Sequence, residues 1–549
     1  MKKNIVFSLA ICLCLPAFSQ TGIDVLHYRY EISLNDKNDT IYCKAIITLA
    51  KPSLQQHYDF DLTSLQSSGK GMIVDSIRGH KRNSTVILPQ KQLISHSPSA
   101  SHVNDKLNWS YNAEKFNTTG SCDTDMISIW YHGIPDDGLI ISKNKYGHRT
   151  FFSDNWPNRA HNWIPCIDDP SDKASVEFLV TAPDHYRVVS NGRMVEEKKL
   201  DGNRKLTHYK EDIPLPTKVM VIGVAGFAVD SVGAINNVPV YSWVFPENKS
   251  EGFYDYAPAK EILSFYMDYI GPYAYQKLAN VQSKTIFGGM ENASAIFYYE
   301  NSVTGKREQE ALLAHEIVHQ WFGNMATEKN FAHIWLSEGF ATYLTHIYLE
   351  KKYGTDSLEK RMKKERQEII GFLKGEPRPV IDTTKDYMQL LNANSYQKGG
   401  WILHMLRRQL GDSVFRRAIQ KYYADYAGKN ADSDDLRKIF EEVSGKDLKQ
   451  FFYQWLTIPA NPRLSLEWKY NPTKKNITLT VKQLHPEALF HFPLEILVQE
   501  KALSMPKRST ITITKSSETF VFPVSSRPVR VEADPMVSLL YEGKVTEIK

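Results

Sequence analysis

Cysteine is scarce in this chain: five among 549 residues, with Cys12 and Cys14 inside the first twenty. The other three, Cys43, Cys122 and Cys166, allow one disulfide at most, and none has C-x-x-C spacing. That excludes a disulfide scaffold, so stability must come from packing, and these thiols read as buried or incidental rather than catalytic. An excess of one charge is also missing. Lys and Arg number 67 against 62 Asp and Glu, and a net charge of +5 is small for this length, so no nucleic-acid or polyanion partner is implied. Internal repeats and low-complexity tracts are absent. The apolar run from Ile5 to Pro16 is shorter than the roughly 20 residues that span a bilayer. Lys2 and Lys3 precede it, and Ala17 and Ser19 follow it before Gln20, which is the pattern of a secretory signal peptide over residues 1–19. Ile11 before Cys12 lacks the small residue of a lipoprotein site. The expectation is an exported protein, periplasmic or secreted, with no permanent membrane span once the signal is cleaved.

What is present looks globular: 42% hydrophobic and 23% charged residues, in a length that suggests about three domains. From His27 to about Phe245 apolar residues alternate (Tyr28, Tyr30, Ile32, Leu34; Ile41, Cys43, Ala45, Ile47), which predicts a large β domain over 20–245. Helical spacing takes over at Ile262, Phe265, Tyr266 and Tyr269 and recurs at Ile402, Leu403, Met405 and Leu406, predicting a mainly helical domain over 246–458. After Pro459 and Pro462 alternation returns (Leu464, Leu466, Trp468; Ile477, Leu479, Val481), which suits a small β-sandwich over 459–549. The fold class is a multi-domain α+β protein.

Inside the helical part, His315-Glu316-x-x-His319 is followed 19 residues later by Glu338. Imidazoles at i and i+4 project from one helix face and can share a tetrahedral metal, with Glu338 as third ligand and a fourth position left for water. This is the His2Glu pattern of a catalytic zinc site, and Glu316 is placed to act as general base. A fourth protein ligand would have to come from His333 or His346, the near candidates.

Some 25 residues before the metal helix, Gly288-Gly289-Met290-Glu291-Asn292 resembles the G-x-M-E-N motif of the aminopeptidase N family of gluzincins, peptidase family M1. The H-E-x-x-H and the E-G-F around Glu338 are similar to that family as well. The resemblance implies a saddle-like N-terminal β domain, a thermolysin-like catalytic domain, and one catalytic zinc ion acting on peptides with a free N-terminus. Glu291 is then the group that holds the substrate's α-amine, since a desolvated carboxylate suits a largely protonated amine. The glycines are expected to leave room for a substrate backbone. Tyr396, in Tyr396-Gln397-Lys398-Gly399 and 58 residues after Glu338, corresponds to the family's oxyanion-stabilising tyrosine. Trp163-Ile164-Pro165-Cys166 with Asp168, Pro170 and Lys173 resembles a segment of the family's β domain, and Ser444 to Leu448 with Phe451, Phe452, Gln454 and Trp455 resembles the end of its catalytic domain.

The chain also departs from the family pattern. Where many members place a β-domain glutamine or glutamate near the amine, this sequence reads Phe152 to Pro157, with Asp154 or Asn155 as the expected substitute. Ser337 stands before the third ligand in place of asparagine, and Thr345 replaces an acidic residue seven positions after it. The long helical domain of large members is not found after the sandwich, from which a more open site is expected. Competing readings are a thermolysin-type endopeptidase, an epoxide hydrolase like the leukotriene hydrolase branch, and a catalytically inert binding protein.

Overall fold

Period-two burial builds the first half of the molecule. In the strands Val25–Ser33 and Ile41–Leu49 the inward residues Tyr28, Tyr30, Ile32, Ile41, Cys43, Ala45 and Ile47 are buried, because successive side chains of a strand point to opposite faces. The computed structural model describes residues 23–50, 57–80, 108–111, 115–119, 125–485, 488–502 and 505–548. The segment expected to be a signal peptide, with Cys12 and Cys14, and Cys122 lie outside the described residues. Cys43 and Cys166 are buried free thiols, as their sparseness suggested.

The largest sheet runs in the order Arg193–Leu200, Arg204–Leu215, Ala174–Pro183, Val25–Ser33, Ile41–Leu49, Met126–Ile134, Gly71–His80. Val25–Ser33 is parallel to Ala174–Pro183 and antiparallel to Ile41–Leu49. A four-stranded sheet of Arg187–Ser190, Ile222–Ala225, Arg149–Ser153 and Leu139–Lys143 leads at Ser153 into the segment that meets the catalytic region. A five-stranded sheet follows, ordered Ala228–Ile235, Val238–Val244, Leu278–Ser283, Ala295–Tyr299, Gly289–Met290. Val238–Val244 pairs in parallel with Leu278–Ser283, so one sheet joins strands from both sides of residue 245.

The helices of the middle region are α1 Lys249–Tyr256, α2 Ala259–Tyr269, α3 Glu310–Val318, α4 Trp335–Tyr353, α5 Thr355–Gly375, α6 Gly399–Leu410, α7 Asp412–Tyr426, α8 Ser433–Ser444 and α9 Lys449–Thr457. From Trp335 to Leu349 every residue of α4 is buried, including the polar ones, which marks it as the central helix rather than an amphipathic surface helix. The α4 and α6 backbones approach closely where Gly339 faces Gly399: a Cβ on Gly339 would sit 2.8 Å from the Gly399 backbone. After α9 two sheets, Ser517–Pro523, Asn476–Gln483, Arg463–Asn471, Glu542–Glu547 and Lys507–Ile513, Phe492–Gln499, Arg530–Ala533, turn their buried residues into a shared core. The N-terminal β-rich, middle helical and C-terminal β regions thus follow the order expected from the sequence.

The C-terminal sheets are tied to the helices through buried polar contacts. Arg366 of α5 pairs with Asp534, and the Nε2–H of His404 on α6 donates to the Val537 carbonyl at 2.7 Å, while the Tyr343 hydroxyl lies 2.9 Å from its Nδ1. Burial pushes the His404 imidazole down to about 3. Its folded value therefore lies below the ordinary 6.5, and the unfolded chain binds more protons between these two values. The stability it contributes is complete above pH 6.5 and is lost as pH falls. Between pH 7.5 and pH 5 this group should cost about 2 kcal/mol, read as a lower urea unfolding midpoint, and H404Q should flatten that dependence. An identical pH slope in wild type and H404Q would refute it.

Candidate active site

Helix α3 places His315 and His319 one turn apart with their Nε2 atoms 3.2 Å from each other. Glu338, in the first turn of α4, brings its Oε2 to 3.4 Å from both. That oxygen is buried and has no hydrogen-bond donor. Ligand atoms about 2.0–2.2 Å from a tetrahedral zinc lie about 3.3–3.6 Å from one another, so the three side chains fit such an ion without rearrangement. His315, His319 and Glu338 are the only group of this kind among the described residues. His333 sits against Ser433 and His346 against Glu365, so neither completes an all-protein four-ligand site.

The Nδ1 of His319 faces the Phe322 carbonyl at 3.1 Å and the Ser337 hydroxyl at 3.0 Å. Ser337, one of the departures from the family pattern, therefore orients this ring so that Nε2 points at the metal position. A Cβ at Gly323 would come within 2.3 Å of the Ser337 hydroxyl, so the serine occupies space that the glycine leaves.

Electrostatically the site asks for a cation. Burial alone would lower the His319 imidazole, yet Glu338, Glu291 and Glu316 bring it up to about 9. Glu338, which burial would raise, is instead held well below the usual carboxylate range by the two histidines. Glu316 is pushed far up by burial, with only His319 opposing and Glu291 and Glu338 adding to the rise. Three carboxylates crowded together favour either protons or a divalent metal, and the two imidazole nitrogens select the metal.

The loop after Gly289–Met290 delivers Glu291 into the same cavity. This space of ≈ 450 Å³ is lined by His315, Glu316, His319, Glu338, Tyr396 and the Gly288–Glu291 segment, with apolar walls. Glu291 is buried, and its Oε1 has no partner in the protein. Its backbone is held firmly: the Glu291 carbonyl accepts from Gln320 Nε2 at 2.9 Å and from Asn324 Nδ2 at 2.7 Å, and Gln320 Oε1 accepts from the Ser294 N–H at 2.8 Å. Gln320 and Asn324 were not singled out from the sequence. They lie one and five residues after His319, and two uncharged amides so close to an expected metal ligand were the available signal. Asn292 is also buried, with both side-chain polar atoms unpartnered, and it is not among the cavity-lining residues.

The two glycines differ in role. At Gly288 a Cβ would meet nothing within 4 Å, which agrees with room for a substrate. At Gly289 it would lie 2.4 Å from Glu316 Oε1, so the missing side chain makes room for the Glu316 carboxylate instead of the substrate. Tyr396 stands in the turn Asn394–Lys398, its ring stacked near-parallel on His315 at 6.0 Å. Burial, then Glu338, Glu291 and Glu316, raise its phenol well above 10, so it stays a hydrogen-bond donor.

The expected β-domain partner of the amine is not where the sequence suggested. Asp154 gives one oxygen to Arg159 at 2.7 Å and the other to the Thr285 hydroxyl and the Ile286 N–H, both at 2.9 Å. Asn155 donates to the Thr217 and Met220 carbonyls and accepts from Trp163 Nε1. Both side chains are spent on joining segments, and it is Trp156 that reaches the cavity wall, edge-on to Phe287. Thr345 lines the cavity as well.

Two models of a single family match the sequence: the peptidase family M1 domain over residues 254–455 and the peptidase M1 N-terminal domain over residues 25–219. The chain belongs to peptidase family M1. Its relatives include aminopeptidase A of Gloydius brevicauda, 27% identical over 68% of this chain and 41% of that protein. Probable aminopeptidase 2 of Sulfurisphaera tokodaii is 29% identical over 63% of this chain and 46% of its own. Tricorn protease-interacting factor F2 of Thermoplasma acidophilum is 31% identical over 63% and 46%. The chain thus spans less than half the length of these curated relatives. A crystal structure of Legionella pneumophila aminopeptidase A in complex with aspartic acid superposes with a TM-score of 0.78 at 16% identity, covering 95% of this chain and 59% of that one, so the fold is shared.

In this M1 chain the two matched regions grip each other close in sequence to His319. Lys173 of the N-terminal region donates to the carbonyls of Asn324 at 3.3 Å, Met325 at 2.7 Å and Lys429 at 3.0 Å. Lys218 forms a fully buried ion pair with Glu328, shortly after that loop. Trp163, Ile164 and Cys166 are core residues, as their motif suggested.

Proposed function

We propose that the chain is a zinc aminopeptidase that removes single residues from the free amino end of peptides. The observation that carries this reading is Glu291: a buried carboxylate oxygen without any donor, in one cavity with the His315–His319–Glu338 triad. Leaving such a group unpaired is costly, and an α-ammonium supplies the missing charge and hydrogen bonds. With the amine held there, the first peptide bond falls at the triad and internal bonds do not.

A zinc ion held by His315, His319 and Glu338 would acidify a water and polarise the scissile carbonyl. Glu316 takes the proton of the attacking water and returns it to the leaving amine, a transfer its high proton affinity favours. Tyr396 donates to the oxyanion and carries no charge of its own. Phe287 and Met290 border the cavity together with Leu312 and Leu391, which suits an apolar or broad preference for the first residue.

The basic start, apolar run and small-residue end of residues 1–19 support export to the periplasm or beyond the cell. Among the described residues no helix is long and apolar enough to cross a membrane.

A panel of aminoacyl chromogenic amides tests the assignment. Hydrolysis should be lost with a chelator, return with zinc, and fail on the N-acetylated counterpart. Cleavage of acetylated peptides at internal bonds would instead favour an endopeptidase, and zinc-replete protein without any hydrolysis would favour a binding protein.

A further inference from the structure

Arg361, on α5, lines the cavity but takes no part in the chemistry described above. It is half-buried, and among the described residues its guanidinium forms no ion pair. Its neighbours on the helix are otherwise engaged: Glu365 is bound to His346, and Glu368 to Lys364. The charged side chains lining the cavity are otherwise the carboxylates Glu291, Glu316 and Glu338, besides the imidazoles. A lone guanidinium turned into a substrate cavity is a ready fork for a carboxylate, because its planar donors match the two oxygens.

The walls of the cavity say which part of a substrate it meets. The Gly289–Met290 strand that leads to Glu291 packs on α3 from the sheet side, whereas α5 packs on α4 and on the Asn394–Lys398 turn. Tyr396 of that turn stacks on His315, and Ala311 and Leu312, one helical turn before His315, line the same cavity. The cavity therefore extends from Glu291 past the metal triad to the α5 wall. A peptide anchored by its amine at Glu291 and split at the triad has its leaving portion at that far wall.

Building on the aminopeptidase reading, we propose that Arg361 is a specificity determinant that binds a carboxylate on the leaving portion of the substrate. Two sources share that chemistry: the C-terminal carboxylate of a dipeptide, and an acidic side chain in the residue after the scissile bond.

The test measures kcat/KM of the zinc-loaded full chain on leucyl-alanine against leucyl-alanine amide, and on leucyl-aspartic amide against leucyl-asparagine amide. The carboxylate-bearing member of at least one pair should be favoured about tenfold or more, as charge-assisted hydrogen bonds allow. R361Q should bring that ratio near one, R361K should restore part of it, and R361E should reverse it in favour of leucyl-lysine amide. A preference confined to the first pair assigns the terminal carboxylate, and one confined to the second assigns the side chain. Ratios near one in wild type, or unchanged in R361Q, would overturn the proposal. Calorimetric binding of the same four compounds to zinc-loaded E316Q separates the two readings. No turnover by the zinc-loaded wild-type chain, with the binding ratios of E316Q intact, would refute the peptidase and leave the Arg361 site standing, whereas wild-type turnover without the ratios would do the reverse.

Discussion

Glu316→Gln should reduce kcat on an aminoacyl chromogenic amide by about a thousandfold or more while the protein keeps its full complement of zinc. Glu316 is not a ligand: the triad is completed by Glu338, and the Glu316 carboxylate lies instead against Gly289, in space that only a glycine leaves. Glutamine has the same shape and fits that space, so the fold and the metal site are preserved. What it loses is the ability to accept a proton. The wild-type carboxyl sits in a buried, carboxylate-rich surrounding that raises its proton affinity well above the ordinary range, which favours taking up a proton. Metal content by atomic emission beside single-turnover kinetics separates the two effects. Wild-type-like turnover in the zinc-bound variant would sink the mechanism, and loss of zinc would show that the side chain has a ligand role.

Glu291→Gln should lower kcat/KM on free-amine substrates about a hundredfold or more, with little change in unfolding temperature. Removing one partner of a buried charge pair typically costs about 3–5 kcal/mol, and each 1.4 kcal/mol is a factor of ten. The loop itself should hold its shape, because Gln320 and Asn324 grip the Glu291 backbone carbonyl and not its side chain. The variant should also lose most of its discrimination between a free and an acetylated amino end, since that discrimination is what the carboxylate confers. If the acetylated substrate stayed uncut while the free one was cut at the wild-type rate, the amine would have to be read elsewhere in the cavity.

These residues were legible in the sequence because their signals are local. His315 and His319 depend only on helical periodicity, and Glu338 and Glu291 on short motifs nearby. The order of β, helical and β regions was equally local, being a change of hydrophobic period. What escaped were features decided by distant partners. Nothing in Val238–Val244 says that this strand pairs onward to Leu278–Ser283. Asp154 and Asn155 have the right chemistry for an amine site, but Arg159, Thr285, Thr217 and Met220 use up their hydrogen-bonding groups. Gln320 and Asn324 bind backbone carbonyls, which every residue type carries, so no complementary side chain in the sequence marks them as partners. Ser337 was noticed only as a departure, and its hydroxyl proves to face His319 Nδ1.

The grip of Lys173 on the Asn324, Met325 and Lys429 carbonyls has a meaning for how this protein divides into parts. Asn324 holds the Glu291 loop with its side chain while its own carbonyl is held from the other region, so the residue proposed to bind the amino end is seated across the seam between the two matched family regions. On the proposed reading, metal binding would belong to two adjoining helices, whereas the choice of which bond to cut would be a joint property of both regions. The covalent order of the chain and the boundaries of its working parts therefore do not coincide.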